Sequence, residues 1–286
     1  MIVRLMTHNV WECDDNSPSW AEKGFDCSAE VRVKGFMRIY DDTCPDVIGF
    51  QEMTPRMLSL MSQAFIERGQ KFAFIWGGYA PIAYNADKFE LIDSEWELFP
   101  EQIKGLGGPF NNDKRKSWAV AVFRIKENGK IFAFATTHLW WKRNPTKPEE
   151  VGQWNVQENS NEARAWQMEL LMSKLEKYSD KYDCPMILTG DMNTPYNSKP
   201  IKTALDNGFV AAYHLATDFA DKTMGYHYCY PDCFKTEYSP APFEYAIDHI
   251  MLKKVTENSV KNFVRYSPEY YFPLSDHSPA YVDIEL

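Results

Sequence analysis

An α/β fold is what the chain predicts, on three observations: strand-like apolar runs, helical patterns between some of them, and polar clusters at run ends. Strand-like runs recur at residues 2–9, 46–51, 71–76, 81–84, 117–125, 130–138, 185–188, 246–252 and 280–284, several alternating with polar residues as half-buried strands do. Residues 29–40 and 55–68 carry apolar side chains at three-four spacing, and Thr54-Pro55 reads as an N-cap followed by proline in the first helical position. Residues 162–178 form the clearest amphipathic pattern, with Ala165, Trp166, Met168, Leu171, Met172 and Leu175 on one face. Residues 198–207 give a further helix, stopped by Gly208. Two segments, 11–26 and 140–161, interrupt the rhythm; they are long for loops, and their aromatic content sets them apart from disordered chain.

No internal repeat, low-complexity tract or linker divides the 286 residues, so one domain over residues 1–286 is expected. A 44% hydrophobic share with nine Trp supplies a sizeable core. The formal net charge of −9 disfavours a protein that binds nucleic acid through a broad phosphate-neutralising surface. A local basic patch or a bound metal can still reverse the field inside one cleft. No apolar run approaches the length of a membrane span, and the chain opens on a strand-like segment rather than a leader, which predicts a cytoplasmic protein unless a leader has been removed. The six cysteines (Cys13, Cys27, Cys44, Cys184, Cys229, Cys233) lack zinc-site spacing and read as incidental thiols in a reducing compartment, with Cys229–Cys233 left as a minor disulfide alternative.

Five polar clusters close strand-like runs: Met6-Thr7-His8-Asn9-Val10, Ile48-Gly49-Phe50-Gln51-Glu52, Thr136-Thr137-His138-Leu139, Leu188-Thr189-Gly190-Asp191-Met192-Asn193 and Ser275-Asp276-His277-Ser278-Pro279. Each has an ordinary reading. Glu52 could be a solvated strand end, Asp191-x-Asn193 a helix cap, His138 a satisfied core histidine and Asp276-His277 an incidental dipeptide. Asp248 falls just inside a strand, where a buried acid needs a partner. Together, in this order and each at a strand end, they form a set able to hold a hard divalent cation and to move protons.

The order Asn9, Gln51-Glu52, Thr-His138-Leu, Gly190-Asp191-x-Asn193, Asp248 and Ser275-Asp276-His277-x-Pro279 resembles the endonuclease/exonuclease/phosphatase (DNase-I-like) superfamily, over residues 7–286. The resemblance implies a four-layer α/β sandwich: two mostly antiparallel sheets packed face to face, helices outside, and the site at one end of the sheets. The stretch Gly190-Asp191-Met192-Asn193-Thr194-Pro195 is most similar to the deadenylase-like and bacterial metal-dependent hydrolase branches. The chain departs from the pattern at Gly77-Gly78-Tyr79-Ala80-Pro81, which lacks the Glu that pairs with the His138-type residue in DNase-I-like members. It also lacks the Cys-Asp-Arg element of inositol polyphosphate 5-phosphatases, reading Ala246-Ile247-Asp248-His249 instead.

By that resemblance the chain is a phosphoester hydrolase dependent on Mg²⁺ or Mn²⁺, acting by in-line attack of water. Glu52 is implied as principal metal ligand, with Asn9 and Asp276 completing the sphere; oxygen donors favour a hard ion over zinc. Asp191 would orient or deprotonate the water, and Asn193 would hold the water or a phosphate oxygen. His277 would serve as acid/base or phosphate contact with Asp248 behind it, and His138 as a second phosphate donor. The acidic balance favours a small nucleotide-, sugar- or lipid-linked phosphate. A nuclease acting on RNA or DNA is the alternative, with Lys114-Arg115-Lys116 and Lys142-Arg143 as its basic patches, and a non-catalytic binding module stands behind both. Trp140-Trp141, with Trp154, could pack a lid or stack a ligand, lid packing being favoured.

Overall fold

Central strands that are apolar on both faces are stable only when both faces are covered. The computed structural model, which describes residues 1–219, 223–225, 240–242, 246–266, 268–271 and 273–286, supplies both covers. In chain order the elements are β1 (Ile2–Asn9), α1 (Pro18–Ala21), α2 (Ala29–Thr43), β2 (Val47–Gln51), α3 (Pro55–Glu67), β3 (Phe72–Ile75), β4 (Ile82–Asn85), β5 (Phe89–Leu98), β6 (Ser117–Ile125), β7 (Ile131–His138), α4 (Ser160–Tyr182) and β8 (Met186–Asp191). There follow α5 (Lys199–Asp206), β9 (Val210–Ala211), α6 (Ala212–Leu215), β10 (Thr223–Gly225), β11 (Pro240–Pro242), β12 (Asp248–Lys253), β13 (Val260–Arg265) and β14 (Ala280–Glu285). Cys229 and Cys233 lie outside the described residues. No helix among the described residues is long and apolar enough to cross a membrane.

Two six-stranded sheets form, in the orders β13-β14-β1-β2-β4-β3 and β5-β6-β7-β8-β12-β9, beside a small β10-β11 pair. Each large sheet is antiparallel except for one central parallel pair, β1/β2 in the first and β7/β8 in the second. A parallel pair needs a crossover. Here α2 supplies one and α4 the other. The period of two then sorts the side chains between layers. Val3, Leu5, Val47, Ala119, Ala121 and Phe123 pack between the sheets. Met6, Ile48 and Phe50 face α2 and α3. Val120, Val122, Met186 and Leu188 face the Met168–Leu171–Leu175 stripe of α4. The result is the expected α/β/β/α sandwich.

Every strand and helix read from the sequence is present, with ends moved by a few residues. The short α1, β9, α6, β10 and β11 were not anticipated, nor were β5 and β13. β5 is an edge strand whose Glu90, Asp93, Glu95 and Glu97 break the apolar pattern, and a register shift between Leu91 and Asp93 breaks its period. Lys174, Tyr178 and Lys181 of α4 reach down to Glu97, Glu95 and Asp93 at 2.7, 3.0 and 2.9 Å, so those acids serve the helix–sheet contact. β13 carries a comparable irregularity between Val260 and Asn262.

Two glycines allow close approach at the end that matters, Gly49 between the sheets and Gly190 between neighbouring strands of the second sheet. A Cβ on Gly49 would lie 2.5 Å from Thr189 Oγ1 and 2.8 Å from Thr136 Cβ, so β2 rests directly on β7 and β8 of the other sheet. Gly190 has φ +147°, and a Cβ there would fall 2.1 Å from the Thr137 carbonyl oxygen. Gly49→Ala should therefore lower stability by ~1–3 kcal/mol in urea unfolding, as overpacking does. The control Gly107→Ala, with nothing within 4 Å of its added Cβ, should change it by less than ~0.5 kcal/mol. Equal effects would show that the sheets are not in close contact at Gly49.

Candidate active site

The carboxyl ends of the two parallel pairs point the same way and carry the polar clusters with them. Register puts His138 beside Asp191 and Asp191 beside Asp248 on three neighbouring strands of the second sheet. In the first sheet Asn9 lies beside Gln51, and the chain turns after β2 through Glu52 in the left-handed region, φ 58°. That conformation is uncommon for a residue other than glycine, and it ends β2 where a carboxylate can face the junction between the sheets.

The sheets join there through side chains. Asn9 donates its Nδ2 hydrogen to Asp191 Oδ2 at 3.1 Å, and Gln51 donates to Thr136 Oγ1 at 2.9 Å. Glu52 Oε1 lies 3.8 Å from His138 Nε2, while Glu52 Oε2 accepts the Glu12 backbone N–H at 2.9 Å. His277 Nδ1 lies 2.8 Å from Asp248 Oδ2, and its Nε2 lies 3.7 Å from Asp191 Oδ2. All eight residues singled out from the sequence thus stand at one end of the sandwich. Asn9, Glu52, Asp276 and His277 come from the first sheet and the loop leading to its β14. His138, Asp191, Asn193 and Asp248 come from the second sheet and the turn after β8.

Asp191 Oδ1 accepts the backbone N–H of Asn193, whose φ of 50° folds the chain back toward its own strand. One amide hydrogen of Asn193 goes to the Leu139 carbonyl at 3.1 Å. Asp248 meets the need of a buried acid through His277 and through Arg265, whose Nη1 is 3.9 Å away. Among the described residues, Asp248 Oδ1 and Asp276 Oδ1 are shut off from solvent without a hydrogen-bond partner.

The electrostatics follow from burial and from neighbours. Burial, with the Asp248 and Glu52 charges adding, pushes Asp191 up to about 7 despite the opposing pull of His277 and Lys116. Burial and Glu52 push Asp276 up to about 6 against the pull of His277. Burial would lower His277, but Asp248 and Asp191 hold it well above the ordinary histidine value. Burial alone would raise Asp248, and the His277 charge and hydrogen bond bring it below the usual carboxylate range. His138 is driven well below its ordinary value by burial and by the Lys116 charge. Burial drives His8 down to about 3; it lies between the hydroxyls of Tyr40 (2.8 Å) and Tyr271 (2.9 Å) and is a satisfied core histidine.

A carboxylate-rich pocket with an unpartnered buried oxygen is short of positive charge, and oxygen donors of this kind suit a hard divalent ion. Glu52, Asn9 and Asp276 offer donors of this chemical kind. Asp276 Oδ1 lacks a partner, and Asn9 Oδ1, which accepts the Trp11 N–H at 2.9 Å, keeps a second lone pair.

Lys116 and Arg115 were read only as a basic patch, and Arg32 and Arg164 went unread in the sequence. Lys116 is buried, with Nζ 2.7 Å from His138 Nε2. It is the nearest partner of His138 Nε2, with Asp191 Oδ2 at 3.4 Å and Glu52 Oε1 at 3.8 Å beyond it. Arg115 pairs with Glu12 at 2.7 Å, so of the Lys114-Arg115-Lys116 patch one residue is buried, one is ion-paired and Lys114 is exposed. Arg32 of α2 donates to the carbonyls of Val10, Trp11, Cys13, Cys27 and Leu274, fixing both the 11–28 loop and the turn before Asp276. Arg164 of α4 does the same for the carbonyls of Trp140 and Lys142. Arg32 and Arg164 lie near the starts of the two crossover helices, where the apolar pattern gives no mark of either. Trp140 is buried, as lid packing requires, whereas Trp154 is 73% exposed with its ring 5.4 Å from that of Trp141. Cys13 and Cys27 are free thiols with sulfurs 3.6 Å apart, a proximity their spacing did not suggest.

A four-layer sandwich with acids and imidazoles gathered at the carboxyl ends of its parallel strands defines a class of phosphoester hydrolases. The chain belongs to the endonuclease/exonuclease/phosphatase family, whose sequence model matches residues 6–277. It is 31% identical over 169 residues to Protein angel of Drosophila melanogaster, a match covering 55% of this chain and 42% of that protein, so the chain matches less than half of its length. Its fold is similar to that of a mannosyl-6-phosphatase of Bacteroides thetaiotaomicron (TM-score 0.69, 19% identity, 99% of this chain and 100% of the other). It is similar also to TDP2 of D. rerio complexed with a single-strand DNA product (TM-score 0.65, 16% identity, 100% and 99%).

The raised Asp191 value has a thermodynamic consequence. A group that binds its proton more tightly in the folded chain stabilises the fold at low pH, and that stability is lost as pH rises through the folded value. The buried neutral histidines His8 and His249 act in the opposite sense, so the readout is a difference. In EDTA, the melting temperature of Asp191→Asn should gain on that of the wild type as pH rises from about 5.5 to about 8. A difference independent of pH would contradict the buried, raised carboxyl.

Proposed function

We propose that the chain is a divalent-metal-dependent hydrolase of phosphoesters, taking a small nucleotide-, sugar- or lipid-linked phosphate in preference to a nucleic-acid strand. The observation that carries this reading is the meeting, across the two sheets, of Glu52 with His138 and Asp191, and of Asp191 with Asp248 and His277. Glu52, Asn9 and Asp276 would hold Mg²⁺ or Mn²⁺. When bound, the ion neutralises phosphate charge and favours displacement at phosphorus.

The chain's own groups divide the remaining work. Asp191, with a carboxyl value near neutrality and one oxygen fixed by Asn193 N–H, orients the attacking water and accepts its proton. His277, held protonated by Asp248 at Nδ1, presents its Nε2 hydrogen toward the centre, where it stabilises phosphoryl charge or protonates the leaving oxygen. Asn193 steadies the water or a phosphate oxygen. His138 is neutral and holds Lys116, so the pair, rather than the imidazole alone, supplies the second phosphate contact.

The preference for a small substrate rests on charge. A strand-binding groove needs cations reaching several phosphates. Of the five basic residues offered for one, Lys116 is buried, Arg115 and Arg143 pair with Glu12 and Glu150 at 2.7 Å, Lys142 is half-buried, and Lys114 is left to face solvent. The exposed Trp154 against Trp141 keeps the nuclease reading alive, because paired rings can stack a base.

Release of nitrophenol from bis-p-nitrophenyl phosphate and p-nitrophenyl phosphate with Mg²⁺ or Mn²⁺ tests the reading, and the ratio of rates separates diester from monoester. Glu52→Ala should abolish turnover with the fold retained, and His277→Ala should lower kcat by about 10²–10⁴-fold. Wild-type rates in both variants would overturn the assignment.

A further inference from the structure

Lys116 is a cation built into the middle of an acidic cluster. Its backbone is clamped on both sides by the buried Asn111, which accepts Lys116 N–H at 2.8 Å and donates to its carbonyl at 2.9 Å. Its side chain, almost wholly enclosed, ends 2.7 Å from His138 Nε2. Burial brings Lys116 below the ordinary lysine value, and Glu52, Asp191, Asp113 and Glu12 pull the other way, toward the charged form.

Two groups of side chains in this region converge closely enough to hold an ion: Glu52, His138 and Asp191, and Asp191, Asp248 and His277, each with ligand atoms within 4.8 Å of one another. The second is closed by its own imidazolium, His277, seated on Asp248 at 2.8 Å. The first has the Lys116 ammonium against its histidine donor. A divalent ion in that group would need the His138 Nε2 lone pair that the lysine occupies, and it would sit against a fixed positive charge in a poorly screened site.

We propose that the Lys116 ammonium takes the place of a second divalent ion within the Glu52–His138–Asp191 group, so that the chain binds one such ion and not two. The inference rests on the metal-dependent reading above and says how the site divides its positive charge. The divalent ion stands by Glu52, Asn9 and Asp276, and the lysine serves the face of the phosphate turned toward His138.

Mn²⁺ binding to the whole chain, counted by calorimetry and by the loss of the free-ion electron paramagnetic resonance signal, decides the matter without reference to turnover. Wild type and Lys116→Arg should each take up one Mn²⁺ per chain, and Lys116→Met should take up two. Lys116→Gln, which keeps the length and polarity of the side chain without the charge, should also take up two and serves if the methionine variant does not fold. Two ions in the wild type, or one in both uncharged variants, would overturn the inference while leaving a metal-dependent hydrolase standing. No Mn²⁺ uptake together with no phosphoester turnover would remove the underlying reading and the inference with it.

Discussion

The contact between the carboxyl ends of the two parallel strand pairs is the constraint on which the rest of this molecule depends. Neither sheet holds a complete reactive set. The first contributes Asn9, Glu52, Asp276 and His277, and the second contributes His138, Asp191, Asn193 and Asp248. They become one site because Gly49 lets β2 lie against Thr136 and Thr189, and because Asn9–Asp191 and Gln51–Thr136 bridge the layers. Side chains at that depth cost free energy unless paired. The pairing across sheets is therefore both what holds the ends together and what sets the protonation states the chemistry would use.

The two halves solve the same local problem in the same way. Each parallel pair runs strand, long loop, helix, strand, and each loop leaves the site before its helix returns. A loop that carries carbonyls over a partly buried site needs donors for them. Arg32 in the first turn of α2 and Arg164 early in α4 provide these donors, each reaching back to the residues just after its strand. The ring contacts of Trp11 with Trp20, and of Trp140 with Phe110, complete the packing beneath. What looked in the sequence like two irregular insertions are ordered walls of the site.

Much of the fold was legible because burial on two faces leaves an unambiguous mark. The runs now seen as β2, β6 and β7 are mostly apolar, and α4 buries Met168, Leu171, Met172 and Leu175 along one side. β5 was hidden because its acids point to lysines and a tyrosine on α4, and a register shift spoils the alternation. The site residues were legible as strand-end clusters, since acids and imidazoles ending apolar runs have few structural uses. Lys116 was not, because a lysine next to Arg115 reads as a surface charge. Only the Asn111 clamp and the His138 contact, distant in sequence, turn it inward. His8 shows the converse: a strand-end histidine one residue from Asn9 that proves to be core, satisfied by two tyrosines.

Charge balance at one junction decides the proposed chemistry: an acidic cluster with an orphaned Asp276 oxygen, partly compensated by Lys116 and His277, which a hard cation would complete. The most direct test is a crystal of the wild-type chain grown with Mn²⁺ and measured for anomalous scattering. The account predicts a peak about 2.1 Å from a Glu52 oxygen, with Asp276 in the same coordination sphere. A peak centred on Asp248 or His138 instead, or none at saturating Mn²⁺, would contradict it.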